Sequence, residues 1–157
     1  MKIEQKLAEM GLKLPGKRKP VGTYLGAVRS GNLVFISGHG PGVEKGDGEF
    51  ELIRGKVGRD LTADQGYEAA KLVALHLLRA LKDCIGDLDK VVRVVKLLGF
   101  VNTADGFKDQ PRVINGASDL FVALWGEEGR HARSAVGMYE LPMGIAVEVE
   151  AVVEVRD

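Results

Sequence analysis

The last strand-forming segment constrains the fold of this chain more than any other feature. Across residues 145–155, apolar side chains occupy every second position, while Glu148, Glu150 and Glu154 fall between them. Because successive side chains of a β-strand point to opposite faces, one face of this segment is apolar and the other is acidic. The pattern predicts a strand or hairpin over about residues 134–155, in a sheet with a core on one side.

Two long helices are predicted from apolar stripes at helical spacing. Thr62 begins the first helix, Gln65 completes a capping-box pattern with it, and Gly86 ends it. Asp109 is placed to cap the second helix, which Gly126 closes. These two helices are the main elements available to cover a sheet.

Further strands are indicated by turn residues between β-prone segments. Residues 30–32 (Ser-Gly-Asn) separate two strands of a hairpin, and residues 46–48 (Gly-Asp-Gly) lie between two shorter strand segments within 43–57. Residues 88–103 predict a strand with apolar side chains on both faces. Since two helices cover only one face of a sheet, the other face is expected to pack against another subunit.

The N-terminal part of the chain differs in character from the rest. Residues 3–10 have the spacing of a short helix, with Gly11 as its stop, and residues 14–22 form a linker rich in proline and glycine. No internal repeat or second domain is evident. We therefore expect one domain over residues 1–157, with residues 1–19 as an N-terminal extension.

Composition excludes several classes of protein. Lys+Arg and Asp+Glu both total 22, and this zero net charge argues against non-specific nucleic-acid binding, because the basic stretch 17–19 is too short for a footprint. A single cysteine, Cys84, permits no disulfide within the chain. The first residues lack the apolar region of a signal peptide, and no run of about 18 apolar residues could span a membrane. We expect a soluble cytoplasmic protein.

No metal or cofactor is expected from the residue pattern. His39, His76 and His131 have no paired spacing, and His76 is most simply a residue on the flank of a helix. Cys84 ends an apolar helical stripe, where a free cysteine usually acts as a small hydrophobe.

The segment GHGPG at 38–42 resembles a phosphate loop only superficially. It lacks the Gly-Lys-Ser/Thr that binds phosphate and magnesium, and it does not fit G-x-G-x-x-G. A tight turn at a strand end is the simpler interpretation, in which Ser37 and His39 could still point into a cleft.

Arg133 is the best candidate for ligand binding. It lies between the small residues Ala132 and Ser134 at the entrance of a strand, and a planar guanidinium with room around it fits a carboxylate in bidentate fashion. A solvated loop arginine, or a partner for Glu148 or Glu150, explains the same pattern, and spacing alone leaves both interpretations open.

Three stretches of the chain resemble a known family. They are PVGTYLGAVRSGNLVFISGHGP (20–41), GFKDQPRVINGASDLF (106–121) and ARSAVGMYELPMGIAVEVEAV (132–152). Over about residues 20–155 the chain resembles the RidA/YjgF family, also called endoribonuclease L-PSP, and its N-terminal extension resembles a longer subgroup. The resemblance implies an α+β, chorismate-mutase-like mixed sheet backed by two helices, with three subunits closing a barrel and active sites between them.

The resemblance also implies a function. The archetypal activity is hydrolysis of reactive enamines and imines of the 2-aminoacrylate type to a 2-keto acid and ammonia. By motif position, Arg133 would hold the substrate carboxylate and Glu148 would place or activate water. Tyr24 would close the cleft, while Ser37 and Asn115 match a family serine and asparagine.

Two positions depart from the archetype. Ala135 stands where a cysteine often follows the arginine, and His39 stands where a glutamine usually follows Ser-Gly, so both alter the substrate-binding cleft. A non-catalytic protein that binds small carboxylate metabolites is one alternative. RNA cleavage is another, although the neutral charge and the lack of an aromatic-basic stripe argue against it.

Overall fold

The computed structural model describes residues 1–46 and 48–157. Its main elements, numbered in chain order, are the helices α1 (Lys2–Glu9), α2 (Ala63–Ile85) and α3 (Gln110–Trp125) and the strands β1 (Ala27–Ser30), β2 (Leu33–His39), β3 (Gly42–Gly46), β4 (Glu49–Leu52), β5 (Val91–Asn102), β6 (Ala132–Met138) and β7 (Val147–Val155). Short 3-10 turns precede β5, follow α3 and connect β6 to β7.

Five strands form a mixed sheet in the order β1-β2-β7-β5-β6. β5 and β6 are parallel, and the other neighbours are antiparallel. The hairpin predicted around residues 30–32 is confirmed as β1–β2. The second predicted hairpin is confirmed as β3–β4, a separate two-stranded sheet; Asp47 in its turn lies outside the described residues.

The C-terminal segment is two strands that do not pair with each other. A hairpin over 134–155, one of the two forms predicted, is therefore wrong. β7 lies between β2 and β5, whereas β6 lies on the far side of β5 as an edge strand. The turn at Pro142–Gly144 carries the chain across β5, which has apolar side chains on both faces and accepts a partner on each side.

Both long helices pack on one face of this sheet. The capping box predicted at Thr62 and Gln65 is present, with both reciprocal hydrogen bonds. Asp109 precedes α3 as predicted, but its side chain accepts no capping hydrogen bond. The two helices cross closely at Gly116, where a methyl group would overlap the carbonyl oxygen of Tyr67.

The side of β7 that faces the helices is the apolar one predicted from alternation. Its members Val147, Val149, Ala151, Val153 and Val155 are all buried. α1 extends this core, because Ile3 and Leu7 are also buried. The backbone N–H groups of Lys2 and Ile3 donate to the carboxylate of Asp89, which holds the N-terminal helix against the turn before β5.

None of the helices in the described part of the chain packs on the opposite face of the sheet. Phe35 lies on this face, because it alternates with the buried residues Val34 and Ile36, and 49% of it is exposed. Phe100 and Leu98 of β5 are half-buried, beside the carboxylates of β7. Along the part of the chain that the structure describes, no helix is long and apolar enough to cross a membrane.

Candidate functional site

Arg133 is held rigidly between β6 and α3. Its Nη1 donates to Asn115 Oδ1 at 2.7 Å and to Ser118 Oγ at 3.1 Å, and its Nη2 approaches the Pro111 carbonyl oxygen at 3.4 Å. These partners all belong to α3, so Arg133 lies on the helix side of the edge strand. Ala135, two residues further along β6, shares that side. Asn115 and Arg133, predicted to act together, are therefore in direct contact.

A second layer orients the arginine. His131 Nδ1 lies 2.7 Å from the carbonyl oxygen of Gly129, which can only accept, so Nδ1 carries the hydrogen. His131 Nε2 lies 2.8 Å from Ser118 Oγ and accepts its hydroxyl hydrogen. Burial lowers the pKa of His131 and favours the neutral ring, in which Nε2 accepts from Ser118 and leaves the Ser118 oxygen free to accept from Arg133. Sequence reasoning missed both Ser118 and His131 in this role.

The positive charge of Arg133 is not balanced by a salt bridge among the described residues. Within residues 1–46 and 48–157, no carboxylate lies within 4.0 Å of its guanidinium. The nearby Asp119 instead accepts a 2.7 Å hydrogen bond from Tyr67, whose pKa it raises to about 12. The alternative that Arg133 serves as the partner of Glu148 or Glu150 is therefore wrong. A positioned guanidinium with unused donors is suited to an external carboxylate.

A cleft of about 670 Å³ opens near the opposite edge of the sheet, beside β1 and β2. The segment before β1, the end of β2 and the C-terminal half of α2 surround it. Tyr24, His39 and Glu148, three of the residues predicted for the active site, line this cleft together. Tyr24 is 48% exposed and lies at the cleft mouth.

Glu148 is a half-buried carboxylate without an ion-pair partner in the described parts of the chain. It alternates with Val147 and Val149, so it lies on the face away from the helices, where Gly38 leaves room for it. A methyl group at Gly38 would come within 2.5 Å of Glu148 Oε2. Burial, and then repulsion from Glu150, raise the pKa of Glu148. A raised pKa suits a carboxyl group that exchanges protons near neutral pH.

His39 offers the cleft a hydrogen-bond acceptor. Its Nδ1 lies 2.6 Å from the carbonyl oxygen of Ser37 and must donate to it, so the lone pair is on Nε2. Burial lowers the pKa of His39 and favours this neutral form. The Ser37 hydroxyl donates to the Leu25 carbonyl at 2.6 Å and thereby joins the end of β2 to the segment that carries Tyr24.

One chain does not bring all of these residues together. Arg133, Asn115 and Ala135 belong to the β6 edge, on the helix side of the sheet. Glu148 lies two strands away and on the opposite face. The chain thus carries two half-sites: an anion half-site around Arg133 and an acid–base half-site around Glu148.

Two minor predictions from sequence were wrong. His76 is buried, not on a helix flank, and its Nε2 donates to the Gly42 carbonyl at 2.8 Å; burial lowers its pKa to about 4. Cys84 is exposed and lines the cleft, because the buried side of α2 at this end runs through Leu81 and Ile85. Nowhere in residues 1–46 and 48–157 do three or more His, Cys, Asp or Glu side chains gather as a metal site would require.

The cleft also contains a residue that sequence reasoning passed over. Arg18, from the N-terminal extension, lines the cleft beside Tyr24 and His39. The sequence placed it only within a short basic stretch in a linker. No sequence pattern predicted a role for Arg18, because the residues that contact it belong to β3, β4 and the turn after β2, which are distant in sequence.

Comparisons with known proteins agree with this architecture. A family model described as "YjgF/chorismate_mutase-like, putative endoribonuclease" matches residues 4–153. Protein TCP17 of Trypanosoma cruzi is 42% identical over 157 residues, which cover 99% of this chain and 96% of the relative.

Solved structures show the same fold. The crystal structure of Atu1372 from Agrobacterium tumefaciens, a protein described as having unknown function, has a TM-score of 0.87 at 42% identity and covers 98% of this chain and 94% of its own. RidA from an Antarctic Psychrobacter has a TM-score of 0.57 at 29% identity, covering 87% of this chain and 92% of its own. The chain belongs to the YjgF/RidA family and has its chorismate-mutase-like α+β fold.

Proposed function

We propose that this protein is a hydrolytic deaminase of reactive 2-enamino and 2-imino acids, which it converts to 2-keto acids and ammonia. The observation that carries the proposal is the environment of the Arg133 guanidinium. Asn115 and Ser118 hold it in place, and it has no carboxylate partner among the described residues. The similarity to RidA supports it at the level of the family.

The chemistry needs only the groups that the two half-sites provide. Tautomerisation of the enamine gives an imine, whose carbon is already electrophilic. Arg133 neutralises and orients the substrate carboxylate. Water adds to the imine carbon, and Glu148 accepts a proton from it. Glu148 passes this proton to the imine nitrogen, which gives an amino alcohol. The hydroxyl then loses its proton to Glu148 as the nitrogen receives it, so the C–N bond breaks, ammonia leaves and the carbonyl of the keto acid forms.

Both half-sites can serve one substrate only if subunits share a site. They lie on different sides of the chain, which favours a head-to-tail contact, and such contacts form a closed ring where the rotation between subunits allows it. We propose a homotrimer in which Arg133 of one subunit faces the cleft of the next, where Tyr24, His39 and Glu148 complete the site and Ser37, which does not line the cleft, supports the segment that carries Tyr24. This arrangement also covers the face of the sheet that carries Phe35.

In the direct test, a serine dehydratase generates 2-aminoacrylate in situ, and release of the keto acid is followed. We expect the wild-type protein to accelerate release and Arg133→Ala to abolish the acceleration. Arg130→Ala is the matched control, because Arg130 lies three residues away and pairs with the exposed Glu127 at 3.6 Å. No acceleration by the wild type, with keto acids still bound at Arg133, would indicate the non-catalytic binding protein instead.

A further inference from the structure

Arg18 is a cation of the cleft whose contacts are with a backbone carbonyl and an aromatic ring. Its Nη1 donates to the Gly40 carbonyl at 3.2 Å, and its guanidinium lies 5.3 Å from the centre of the Phe50 ring. It is half-buried, so part of its hydration is replaced by aromatic and backbone contacts. Stacking occupies the flat face of a guanidinium and leaves the N–H groups at its edge available.

Two other cations of the cleft differ from Arg18 in having a carboxylate partner, while Lys19 is exposed. Arg79 pairs with Asp83 at 3.1 Å, and Lys17 approaches the same carboxylate at 4.0 Å. Arg18 has no carboxylate within 4.0 Å over residues 1–46 and 48–157, and only one of its five N–H groups donates a hydrogen bond there. A partly desolvated charge without a counter-ion favours binding of an anion.

The cleft has room for a ligand larger than the archetypal one. A water molecule has a share of liquid volume of about 30 Å³, so the six non-hydrogen atoms of 2-iminopropionate need roughly 180 Å³. The cleft offers about 670 Å³. The remaining space extends along the segment that carries Arg18.

We propose that Arg18 binds a second anionic group of the substrate, so that this enzyme prefers imino acids with a second, distal carboxylate. The inference rests on the proposed function, in which Arg133 of a neighbouring subunit holds the first carboxylate and Glu148 serves the reacting carbon. Arg18 then acts as a specificity-determining residue in the part of the cleft that the N-terminal segment lines.

The binding of stable keto acids tests the inference without any catalytic turnover. The probes are 2-oxoglutarate and 2-oxobutyrate, stable keto acids with and without the distal carboxylate, measured by calorimetry on the purified full-length protein. We expect 2-oxoglutarate to bind at least about tenfold more tightly, a difference of about 1.4 kcal/mol. Arg18→Gln should remove that difference and leave 2-oxobutyrate unchanged.

Three variants separate ligand binding from a structural role of Arg18. Arg18→Lys keeps the charge, so it should retain part of the preference for the dicarboxylate. Phe50→Leu removes the stacking contact but not the charge, and it should also retain a preference. Arg59→Gln is the control, because this exposed arginine pairs with Asp60 outside the cleft. Equal binding of both keto acids by the wild type, or an unchanged preference in Arg18→Gln, would overturn the inference.

Turnover distinguishes failure of this inference from failure of the proposed function. Amino-acid oxidases acting on glutamate and on 2-aminobutyrate generate the two corresponding imines in place. We expect the dicarboxylic imine to be hydrolysed with at least about tenfold higher kcat/KM, and Arg18→Gln to abolish that ratio. Hydrolysis of both imines at equal kcat/KM would contradict the role of Arg18 alone. Hydrolysis of neither imine would contradict the proposed function.

Discussion

At the scale of single residues, the shape of the Arg133 side chain matters as much as its charge. Its guanidinium uses Nη1 for Asn115 and Ser118 and presents its remaining edge to a ligand. A lysine would keep the charge but could not donate two parallel hydrogen bonds while bonded to α3. We expect Arg133→Lys to lower kcat/KM about 100-fold, a loss of about 2.7 kcal/mol in transition-state stabilisation.

Steady-state kinetics with the in-place imine assay checks this prediction, with Arg130→Lys as the control. The substitution should act mainly through KM, because the carboxylate is bound in the ground state as well as in the transition state. Wild-type kcat/KM in Arg133→Lys would show that charge alone suffices.

Glu148 gives a prediction about stability and pH. Its pKa is raised in the folded protein by burial and by Glu150, so the folded state binds its proton more tightly than the unfolded state. The unfavourable burial of its charge is absent below the unfolded pKa and develops as pH rises through the folded pKa. Glu148→Gln should therefore raise Tm at pH 7 by about 1–3 °C and have little effect near pH 4.

Thermal unfolding followed by circular dichroism at the two pH values measures this difference. Glu154→Gln, on the same strand and the same face, is the matched control and should show no such pH-dependent gain. A lower Tm for Glu148→Gln at pH 7 would contradict this prediction, because it would show that the Glu148 carboxylate stabilises the folded protein.

The sequence identifies individual residues only where local motifs mark them. Arg133 and Asn115 were predicted to act together and are in contact, and Tyr24, His39 and Glu148 share a cleft. His131, Ser118 and Arg18 escaped prediction because their roles depend on partners 13 to 32 residues away, at Ser118, Arg133, Gly40 and Phe50. Such contacts arise from packing and leave no periodic pattern.

At the scale of elements, the close crossing of α2 and α3 positions the anion half-site. Gly116 allows this approach and lies directly beside Asn115, which orients Arg133. A methyl group at Gly116 would overlap backbone atoms of Tyr67, and backbone cannot rotate away as a flexible side chain can. We expect Gly116→Ala to destabilise the protein by about 2 kcal/mol and to lower Tm by about 4–8 °C.

Denaturant unfolding compares this variant with Val122→Ala, which changes an exposed residue of the same helix. The control should stay within about 0.5 kcal/mol of the wild type. If Gly116→Ala were as stable as the control, the helices would not need this close approach.

The helices and hairpins were predictable because their signals are local, as the capping box of Thr62 and the alternation in β7 show. The position of β6 beside β5 could not be predicted in this way. The two strands are parallel, so a long connection joins them and no turn motif marks their pairing. The distance between Arg133 and Glu148 within one chain follows from that position.

At the scale of the whole molecule, the uncovered face of the sheet predicts an assembly. Three chains of 16.9 kDa would give a particle of about 51 kDa in light scattering. A charge placed among apolar residues that pack against another subunit should disrupt it, so we expect Phe35→Glu to yield monomers. Met10→Glu, at an exposed apolar residue next to α1 on the helix side of the sheet, should leave the oligomer intact.

A monomeric wild type, or an unchanged oligomer in Phe35→Glu, would place the subunit contact elsewhere. The mass measurement is made at several protein concentrations, because a weak assembly dissociates on dilution.

The claim that two subunits share each active site is tested most directly by mixing inactive variants. Arg133→Ala lacks the anion half-site, and Glu148→Gln lacks the acid–base half-site. Unfolded together and refolded in equal amounts, they form mixed oligomers in which about a quarter of the subunit contacts join two intact half-sites. We expect the mixture to regain about a quarter of wild-type imine hydrolysis, whereas each variant alone stays inactive. Mixed oligomers that regain no activity would contradict a shared site.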